Sequence, residues 1–397
     1  MEEQQKISRR ILLLTTLAMV FSFTVWASLS PLANQFETIY GLTATQTSVL
    51  VAIPVLLGSV MRVPLGILTD QHGGRKVFTA LLIFTIIPLI GIGFADSYYS
   101  LLIWAFFLGM SGACFAVSIT FVAKWTPTEK QGTALGINGM GNIGTALAGA
   151  ALPTIAVVYG VQWAFWILVV PIVIMAVMIW CWTPETPKPA EKKTLAGTLS
   201  VLKHKDSIIF SLFYFVTFGA FVAFGIYLPT LLMSLHDLSA VDAGARAAGF
   251  VILATLVRPF GGYAGDKIGA GKAITVVFIG ITLGGLVLTF GLENMALMTA
   301  ACLLIALMCG IGNGAIFKLV PEKFPKSTGA VTGIVGAAGG LGGFFPPILL
   351  GMVQDVTGTY MLGFLLLSIL ALVCFVINLK QYDNTKYTRL VDVKAGS

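Results

Sequence analysis

Long apolar stretches follow one another from residue 11 to residue 379, and only short polar segments separate them. A helix needs about 20 apolar residues to cross the hydrocarbon core of a bilayer, because it rises about 1.5 Å per residue. The chain of 397 residues therefore has room for about a dozen crossings. Hydrophobic residues make up 57% of the chain and charged residues 10%, whereas about a quarter of a soluble domain is charged. These features exclude a soluble domain and a disordered chain, and they predict a polytopic helical membrane protein.

The apolar pattern predicts twelve transmembrane helices in two halves of six, and hence an all-α membrane protein. The predicted helices are 11–33, 45–69, 76–95, 98–122, 130–155, 160–182, 207–235, 241–265, 272–291, 294–318, 327–352 and 358–379. A polar segment with several prolines covers 183–206 and is interpreted as a cytoplasmic linker. The predicted domains are therefore an N-terminal half over 1–182 and a C-terminal half over 207–397 that ends in a short cytoplasmic tail.

Basic residues are concentrated in alternate connections between the predicted helices. They include Lys6, Arg75, Lys124, Lys188, Lys267, Lys318 and Lys380, whereas the intervening loops carry acidic residues such as Glu37, Asp96, Asp237 and Glu293. Because an excess of Lys and Arg marks cytoplasmic loops, we expect both termini in the cytoplasm and the chain in the plasma or inner membrane. The net charge of +7 is therefore a sign of topology and does not indicate a nucleic-acid partner. We expect a monomer surrounded by the lipid bilayer.

The two predicted halves contain the same motif at an offset of 196 residues. Arg62, Gly66, Asp70, Gly73 and Lys76 match Arg258, Gly262, Asp266, Gly269 and Lys272. Further along the chain, Phe115 matches Phe317 and Gly136 matches Gly333. Helices 2, 4 and 5 thus correspond to helices 8, 10 and 11, which predicts two parallel repeats. Transporters built from such repeats bind their substrate at the interface of the halves, near the middle of the membrane.

Arg62 and Arg258 are the residues from which a function follows most directly. Each lies eight residues before the aspartate near the end of its helix, about 12 Å inside the membrane. A charge at that depth is costly unless it is compensated or its side chain reaches the interface. All 17 Asp and Glu residues fall in loops, termini or helix ends, so no mid-span carboxylate is present to compensate these charges. We therefore predict that the two arginines bind a small anion that enters from outside.

The same distribution of charges bears on the coupling mechanism. Proton-coupled carriers generally need a protonatable group along the path, and the predicted spans contain no mid-span Asp, Glu or His. Two arginines about 10 Å apart would repel by about 1–2 kcal/mol at an effective dielectric constant of 20, so a site that holds an anion closes more readily than an empty one. This favours exchange of one anion for another. Proton coupling through Tyr, Lys or water stays open as an alternative, as does a carrier of another small anion such as an organic acid.

Other classes of protein find less support in the sequence. The cysteines and histidines lack the spacing of a metal site, and no nucleophile lies near a base, so we predict neither an enzyme nor a metal or cofactor. A membrane receptor is a further alternative, but it would need a soluble domain to pass on a signal.

Several residues near the repeat motif are candidates for the anion site. Phe115 and Phe317 are repeat mates beside glycines, and a ring on each side would suit a flat anion. Asn142 is the polar residue within a glycine run of the fifth predicted helix. Tyr214 and Phe218 lie in the seventh predicted helix, which faces the pathway in carriers of this design.

Two further sets of residues have predicted structural roles. The glycines predicted to allow close helix packing are Gly136, Gly139, Gly141, Gly333, Gly336 and Gly340. Charged residues at the cytoplasmic helix ends are predicted to pair with one another and with helix termini, and so to form a breakable gate; they are Asp70, Arg75, Asp266 and Lys272.

Motifs of a known family coincide with these features. The segment 66–76 resembles the loop motif of the major facilitator superfamily. The glycine runs over 136–144 and 333–347 resemble the paired signatures of its nitrate/nitrite porters, and the segment 312–317 is similar to that family as well. The resemblance covers essentially the whole chain, and it implies a carrier with twelve helices.

The resemblance also implies roles for particular residues. It implies a nitrate or nitrite site formed by Arg62 and Arg258, with Phe115 and Phe317 on either side of the anion, and it matches Asn142 and Tyr214 to the asparagine of helix 5 and the tyrosine of helix 7 in that family. The family contains both nitrate/nitrite exchangers and proton-coupled nitrate importers. The resemblance therefore leaves the coupling mechanism and the direction of nitrite transport open.

Overall fold

In the computed structural model of the chain, the described residues are 2–185, 200–238, 240–357 and 359–383, and their regular structure is helical throughout. The α-helices are α1 (Glu2–Trp26), α2 (Ala33–Tyr40), α3 (Ala44–Val60), α4 (Arg62–His72), α5 (Gly74–Gly93), α6 (Tyr98–Leu108), α7 (Cys114–Trp125), α8 (Gln131–Gly139), α9 (Gly144–Tyr159), α10 (Val161–Trp182), α11 (Lys205–His236), α12 (Ala240–Leu256), α13 (Arg258–Ala264), α14 (Ala270–Gly291), α15 (Met295–Lys323), α16 (Thr328–Thr357) and α17 (Met361–Gln381). Short 3-10 segments are Ser30–Leu32, Gly109–Ala113, Thr128–Lys130, Met140–Ile143 and Ser200–Lys203, and Gly265–Gly269 is a π-helical turn.

Within the described residues, eleven helical stretches are long and apolar enough to cross a membrane. One of them, Asp242–Gly291, has 50 residues and would measure about 75 Å as a straight helix, far more than one crossing requires. Gly269, at φ +93°, lies inside this stretch, and α14 begins at the next residue. Glycine adopts this backbone conformation without steric cost. The stretch thus contains two of the twelve predicted spans, and the all-α membrane fold is confirmed.

The spans that carry the two arginines each contain a one-residue turn directly before the arginine, at Met61 and Val257. Helix α4 begins with Arg62 and α13 begins with Arg258, and the preceding helices end at Val60 and Leu256. Prolines at positions 64 and 259 explain both turns, because proline has no amide hydrogen to donate to the preceding turn. Met61 and Val257 keep right-handed helical dihedral angles, and their amides donate to the carbonyl oxygens of Leu57 and Leu253, so each predicted span continues through its turn.

Some helix boundaries also differ from those predicted. Helix α1 begins at Glu2 and not at residue 11, and the short helix α2 occupies a stretch that was predicted as a loop. Helix α15 continues to Lys323, which places Lys318 inside the helix with 7% of its surface exposed. The assignment of Lys318 to a cytoplasmic loop is therefore wrong. Its ammonium group is accommodated there because it lies 3.1 Å from a carboxylate oxygen of Asp266.

The chain forms two compact units, and each unit combines segments from both sequence halves. The first unit draws on Met1–Thr128, Ile137–Ser211 and Val320–Leu341, and the second on Glu129–Gly136, Leu212–Leu319 and Gly342–Ser397, through their described residues. The predicted division at the linker over 183–206 stays a prediction, and residues 186–199 of that linker lie outside the described residues.

Within each unit, a helix of one repeat packs tightly on a helix of the other. In the first unit, a Cβ atom added to Gly66 of α4 would overlap the carbonyl oxygen of Gly329 of α16. In the second unit, a Cβ atom added to Gly262 of α13 would overlap the carbonyl oxygen of Gly132 of α8. Small residues allow such close approach of two backbones, which is a common way for helices to associate in a membrane.

Candidate functional site

Arg62 is completely buried, with 0% of its surface exposed. Its Nη1 atom donates a hydrogen bond to the carbonyl oxygen of Gly336 at 2.6 Å, and its Nε donates to that of Gly112 at 3.3 Å. The guanidinium carbon lies 5.3 Å from the centroid of the Phe115 ring. These three partners are neutral groups, so they fix the orientation of the guanidinium without cancelling its charge.

Glycines of α16 bring its backbone within reach of Arg62. A Cβ atom at Gly336 would lie 3.1 Å from Cδ of Arg62, and a Cβ atom at Gly333 would lie 2.8 Å from Cα of Val63. One turn beyond Gly336, a Cβ atom at Gly340 would lie 2.9 Å from Cβ of Ser59. The three glycines predicted for this helix thus lie along the junction of α3 and α4.

Arg258 lies in an aromatic cluster of the second unit and is 1% exposed. Its guanidinium carbon is 5.5 Å from the ring centroid of Phe218 and 5.4 Å from that of Phe221. Tyr214 stacks on Phe218 with 4.9 Å between centroids, and it meets the edge of Phe317 at 4.7 Å. Rings stabilise a cation through their negative faces, so this cluster holds the guanidinium inside the membrane span.

Aromatic rings contact the guanidinium in both arginine clusters, which the sequence predicts as equivalent. Phe115 contacts the guanidinium of Arg62, whereas its repeat mate Phe317 packs against Tyr214. Phe221, which contacts Arg258, is absent from the predicted set. Its spacing from Tyr214 is a sequence signal, since residues seven apart lie on one face of a helix.

Asn142 lies in the 3-10 segment between α8 and α9 and is 1% exposed. Its amide nitrogen donates to the carbonyl oxygen of Gly139 at 2.9 Å, within the same helical stretch. A Cβ atom at the neighbouring Gly141 would lie 2.7 Å from Cβ of Met19, so this segment packs against α1. The donor of Asn142 is thus used locally, and its predicted role as an anion ligand stays a prediction.

Gly136 packs on the second arginine helix. A Cβ atom at Gly136 would lie 2.8 Å from Cα of Pro259 and 3.1 Å from the carbonyl carbon of Arg258. This contact repeats the one between Gly333 and the Arg62 helix, so both packing glycines lie beside the arginine of the opposite repeat.

Asp70 accepts hydrogen bonds from a lysine and from a helix start. Its carboxylate lies 2.9 Å from Nζ of Lys124 and accepts a hydrogen bond from the backbone amide of Ala330 at 3.0 Å. Ala330 belongs to the first turn of α16, where amide groups have no partner within the helix and the helix dipole favours negative charge.

Asp266 has the equivalent environment in the second unit. Its carboxylate accepts hydrogen bonds from the backbone amides of Gly132 at 3.0 Å and Thr133 at 2.7 Å, in the first turn of α8. The Thr133 hydroxyl also donates to it at 2.7 Å, and Nζ of Lys318 lies 3.1 Å away. Each aspartate therefore caps a helix of the other repeat, as expected for charges that pair with helix termini.

The other two predicted gate residues lie elsewhere. Arg75 pairs with Glu185 at 3.6 Å, and its guanidinium carbon is 5.0 Å from the ring centroid of Trp180. Lys272 is exposed. The lysines that contact the two aspartates are instead Lys124 and Lys318, which are not related by the repeat. The gating role of all four predicted residues stays a prediction.

We expect Lys318→Met to lower the melting temperature of the purified protein more than Lys124→Met does. The side chains of Lys318 and Asp266 are 9% and 5% exposed, whereas those of Lys124 and Asp70 are 22% and 15% exposed. Removing one partner of a buried pair costs about 3–5 kcal/mol, and a solvated pair costs less. The measurement is a thermal melt in detergent for both variants. An equal decrease in melting temperature for the two variants would show that burial does not determine the strength of these ion pairs.

In the described residues, helices long and apolar enough to cross a membrane and a buried arginine at the same position of each repeat define a multi-pass membrane carrier. The family model described as Major Facilitator Superfamily matches residues 15–347 and 211–386. A crystal structure of the fucose transporter FucP in the outward conformation has a TM-score of 0.75 at 17% identity, over 93% of this chain and 98% of that one. The structure of the proton:xylose symporter XylE has a TM-score of 0.77 at 15% identity, over 95% and 96%. At these identities the likeness shows the fold.

Two curated relatives are more similar in sequence. The "Nitrite extrusion protein" of Bacillus subtilis is 41% identical over 369 residues, which cover 93% of both chains. The "Probable nitrate transporter NarT" of Staphylococcus epidermidis is 38% identical over 379 residues, 96% of this chain and 98% of that one. The chain belongs to the nitrate/nitrite porter family of the Major Facilitator Superfamily, a family of transport proteins and not of enzymes. The resemblance drawn from the sequence is thereby confirmed.

Proposed function

We propose that this protein carries nitrate and nitrite across the membrane by alternating access, most simply by exchanging one anion for the other. The observation that carries this proposal is a fully buried arginine at the same position of each repeat, directly after a one-residue turn in its span. The choice of nitrite and nitrate as the two anions follows the names of the relatives in Bacillus and Staphylococcus.

The chemistry of a guanidinium suits a small oxyanion. Its planar fork of N–H donors matches two oxygens of a planar anion, and its charge balances that of the anion. Arg62 is held by two carbonyl oxygens and a ring, so its orientation is fixed before an anion arrives. The guanidinium of Arg258 lies against the faces of two aromatic rings, those of Phe218 and Phe221. We propose that both arginines bind the same anion.

Alternating access requires the helix ends that carry the aspartates to separate and rejoin. Asp70 caps α16 and Asp266 caps α8, so both caps have to break when the anion leaves on that side. A bound anion offsets the repulsion between the two arginines, which favours closing of a loaded site over an empty one. This difference, together with the lack of a mid-span carboxylate in the sequence, supports exchange.

The proposal also covers the orientation of the chain in the membrane and its oligomeric state. The alternation of basic and acidic connections supports cytoplasmic termini and residence in the plasma or inner membrane. We propose a monomer, since one chain contains both repeats and therefore both arginines.

The experiment that tests exchange is a counterflow assay with purified protein in liposomes. Vesicles loaded with nitrite, with nitrate or with no permeant anion are diluted into labelled nitrate, with and without a pH gradient. We expect rapid uptake only with an internal anion and independently of the gradient. Uptake into vesicles without internal anion that requires the gradient would show proton-coupled import instead.

A further inference from the structure

We propose that Trp26 and Asn138 position Arg62 for the anion, because they hold the two ends of the segment 112–118 that contacts its guanidinium. The inference rests on the proposed function and adds two residues that act on the anion through Arg62. The residues that make the supporting contacts all belong to the first compact unit.

The segment 112–118 contributes two of the groups that surround Arg62. The carbonyl oxygen of Gly112 accepts a hydrogen bond from Nε of Arg62 at 3.3 Å, and the Phe115 ring lies 5.3 Å from the guanidinium carbon. Within this segment the 3-10 helix Gly109–Ala113 passes into α7. A 3-10 run of this length is uncommon, because its hydrogen bonds have poorer geometry than those of an α-helix. Contacts from neighbouring helices therefore have to hold the carbonyl group and the ring in place.

Trp26 makes these contacts at one end of the segment. It is the last residue of α1, and its indole lies beside two glycines. A Cβ atom at Gly112 would lie 2.5 Å from Cδ1 of Trp26, and one at Gly58, a turn before Arg62, would lie 2.8 Å from Nε1. The same Nε1 donates a hydrogen bond to the carbonyl oxygen of Pro54 at 3.2 Å. The indole thus contacts both the turn that leads to Arg62 and the residue whose carbonyl oxygen Arg62 binds.

Asn138 holds the other end of the segment, through Ser118, one turn beyond Phe115. The Ser118 hydroxyl donates to Oδ1 of Asn138 at 2.9 Å. Nδ2 of Asn138 donates in turn to the hydroxyl oxygens of two residues of α1, at 3.1 Å to Thr15 and 3.2 Å to Thr16. Both threonine hydroxyls donate to carbonyl oxygens of their own helix, so their oxygens serve as acceptors for the amide. The amide therefore bonds α7 to α1 in a network whose donors and acceptors match.

The second repeat packs the same junction without polar side chains. Val320 and Val335 stand at the positions equivalent to Ser118 and Asn138, by the alignment that matches the phenylalanine and glycine motifs. All four residues are 0% exposed. Polar side chains can hold membrane helices together, but the valines show that packing at this position does not require them. A buried and fully bonded polar network restricts the relative position of helices more narrowly than apolar contacts do, because hydrogen bonds are directional.

The consequence for anion binding follows from the shape of the guanidinium. Its N–H donors lie in one plane, so it presents a fork to an anion only when that plane is correctly oriented. The bond from Nε to Gly112 restricts rotation of the plane before the anion arrives. If that carbonyl group shifts, anion binding has to order the side chain as well, which lowers the affinity.

We expect Trp26→Phe and Asn138→Leu each to raise the KM for nitrate about tenfold, with a change of less than about twofold in the maximal rate. The first removes the indole N–H, and the second removes the amide but keeps a similar volume. The measurement is counterflow of labelled nitrate by the full-length protein in liposomes, over a range of nitrate concentrations. A purely structural defect reduces the number of active molecules, so it lowers the maximal rate and leaves the KM unchanged.

Two matched controls have the same side chains in other contacts. Trp166 is half-buried like Trp26, and its indole also donates to a backbone carbonyl oxygen, that of Ile90 at 3.3 Å. Asn378 is 0% exposed, and its amide donates to the carbonyl oxygen of Gly271 at 2.8 Å. Trp166→Phe and Asn378→Leu should therefore keep the wild-type KM. A tenfold rise in either control would show that the KM responds to any loss of such a bond and would overturn the proposal.

A paired substitution separates positioning from folding. Ser118→Val combined with Asn138→Val reproduces the residues of the second repeat and removes both partners of one hydrogen bond together, which changes stability little. Thr15 and Thr16 keep the bonds to their own helix. We expect a melting temperature close to that of the wild type and a raised KM for nitrate. A wild-type KM in this variant would overturn the role of Asn138.

The combination of Trp26→Phe with Asn138→Leu tests whether the two residues act on the same segment. Effects that pass through one shared interaction do not add as free energies, whereas effects at independent sites do. We expect the double variant to raise the KM by less than the product of the two single effects. A rise equal to that product would show two separate interactions and would contradict the shared role.

These outcomes distinguish the inference from the proposed function. If the wild-type protein exchanges no nitrate, the proposed function itself fails. If the wild-type protein exchanges nitrate and Arg62→Lys does not, but either Trp26→Phe or Asn138→Leu keeps the wild-type KM, only the shared positioning role is refuted.

Discussion

We expect Arg62→Lys to lower nitrate transport by at least about a hundredfold, although the substitution keeps the positive charge. Arg62 donates to two carbonyl oxygens with separate nitrogens of one rigid plane. Lysine has a single nitrogen on a flexible stem, so it cannot bond both carbonyl oxygens and also present a two-pronged donor to an anion. Each lost hydrogen bond to a charged group costs about 1.5–3 kcal/mol, and two such losses account for the expected effect.

The measurement is counterflow of labelled nitrate in liposomes, with the same variant made at Arg258. The control is Arg246→Lys, because Arg246 is exposed and the same chemical change there should leave transport at the wild-type rate. Near-normal uptake by Arg62→Lys would show that charge alone is recognised. In that case the geometry of the guanidinium would not determine selectivity.

The sequence is sufficient to predict the burial of the two arginines. The repeat places Arg62 and Arg258 at the same depth, and the distribution of carboxylates leaves none in the middle of a span. Both conclusions depend only on the spacing of residues along a helix, which the sequence contains directly. The structure agrees, with 0% and 1% of these side chains exposed.

The sequence does not locate the one-residue turns before the two arginines, although it carries a signal for them. Pro64 and Pro259 follow the arginines closely, but proline is also tolerated within membrane helices, so its presence alone does not fix the position of a turn. Lys318 shows the opposite case, since a charge near the end of an apolar run predicts the start of a loop, whereas the helix continues to Lys323. Its partner Asp266 lies on another helix, and such a pairing depends on the tertiary structure.

The aromatic partners within each arginine cluster are also beyond the sequence. Phe115 and Phe317 are equivalent by spacing; Phe115 lies beside the guanidinium of Arg62, and Phe317 meets the ring of Tyr214. The position of Phe317 depends on Tyr214, which stacks on Phe218 and so occupies the space beside α15. Side-chain packing between helices determines this arrangement, and such packing cannot be read from a single sequence.

The close glycine crossings lead to a second large effect. We expect Gly66→Val and Gly262→Val to reduce transport to below about 1% of the wild-type rate, because overpacked helices cannot adopt the close arrangement. A Cβ atom at either position would overlap a backbone carbonyl oxygen of the crossing helix, at Gly329 or at Gly132. A backbone cannot move aside as a flexible side chain can, so the two helices would have to separate.

Such a separation would also lengthen the hydrogen bonds at the aspartate caps. Gly66 lies one turn before Asp70, which bonds the amide of Ala330. Gly262 lies one turn before Asp266, which bonds the amide of Thr133. If alternating access requires these caps to form and break, a protein that cannot form them stays in one state and completes no transport cycle.

Two comparisons separate this blocked cycle from other causes. Gly149→Val and Gly244→Val are the controls, because a Cβ atom at either position meets no atom within 4 Å, and they should keep transport. Nitrate binding separates the glycine variants from the arginine variants. Gly66→Val and Gly262→Val should still bind nitrate in detergent while failing to transport it, whereas Arg62→Lys should lose both. Wild-type transport by Gly66→Val would show that the crossing of α4 and α16 does not have to close during the cycle.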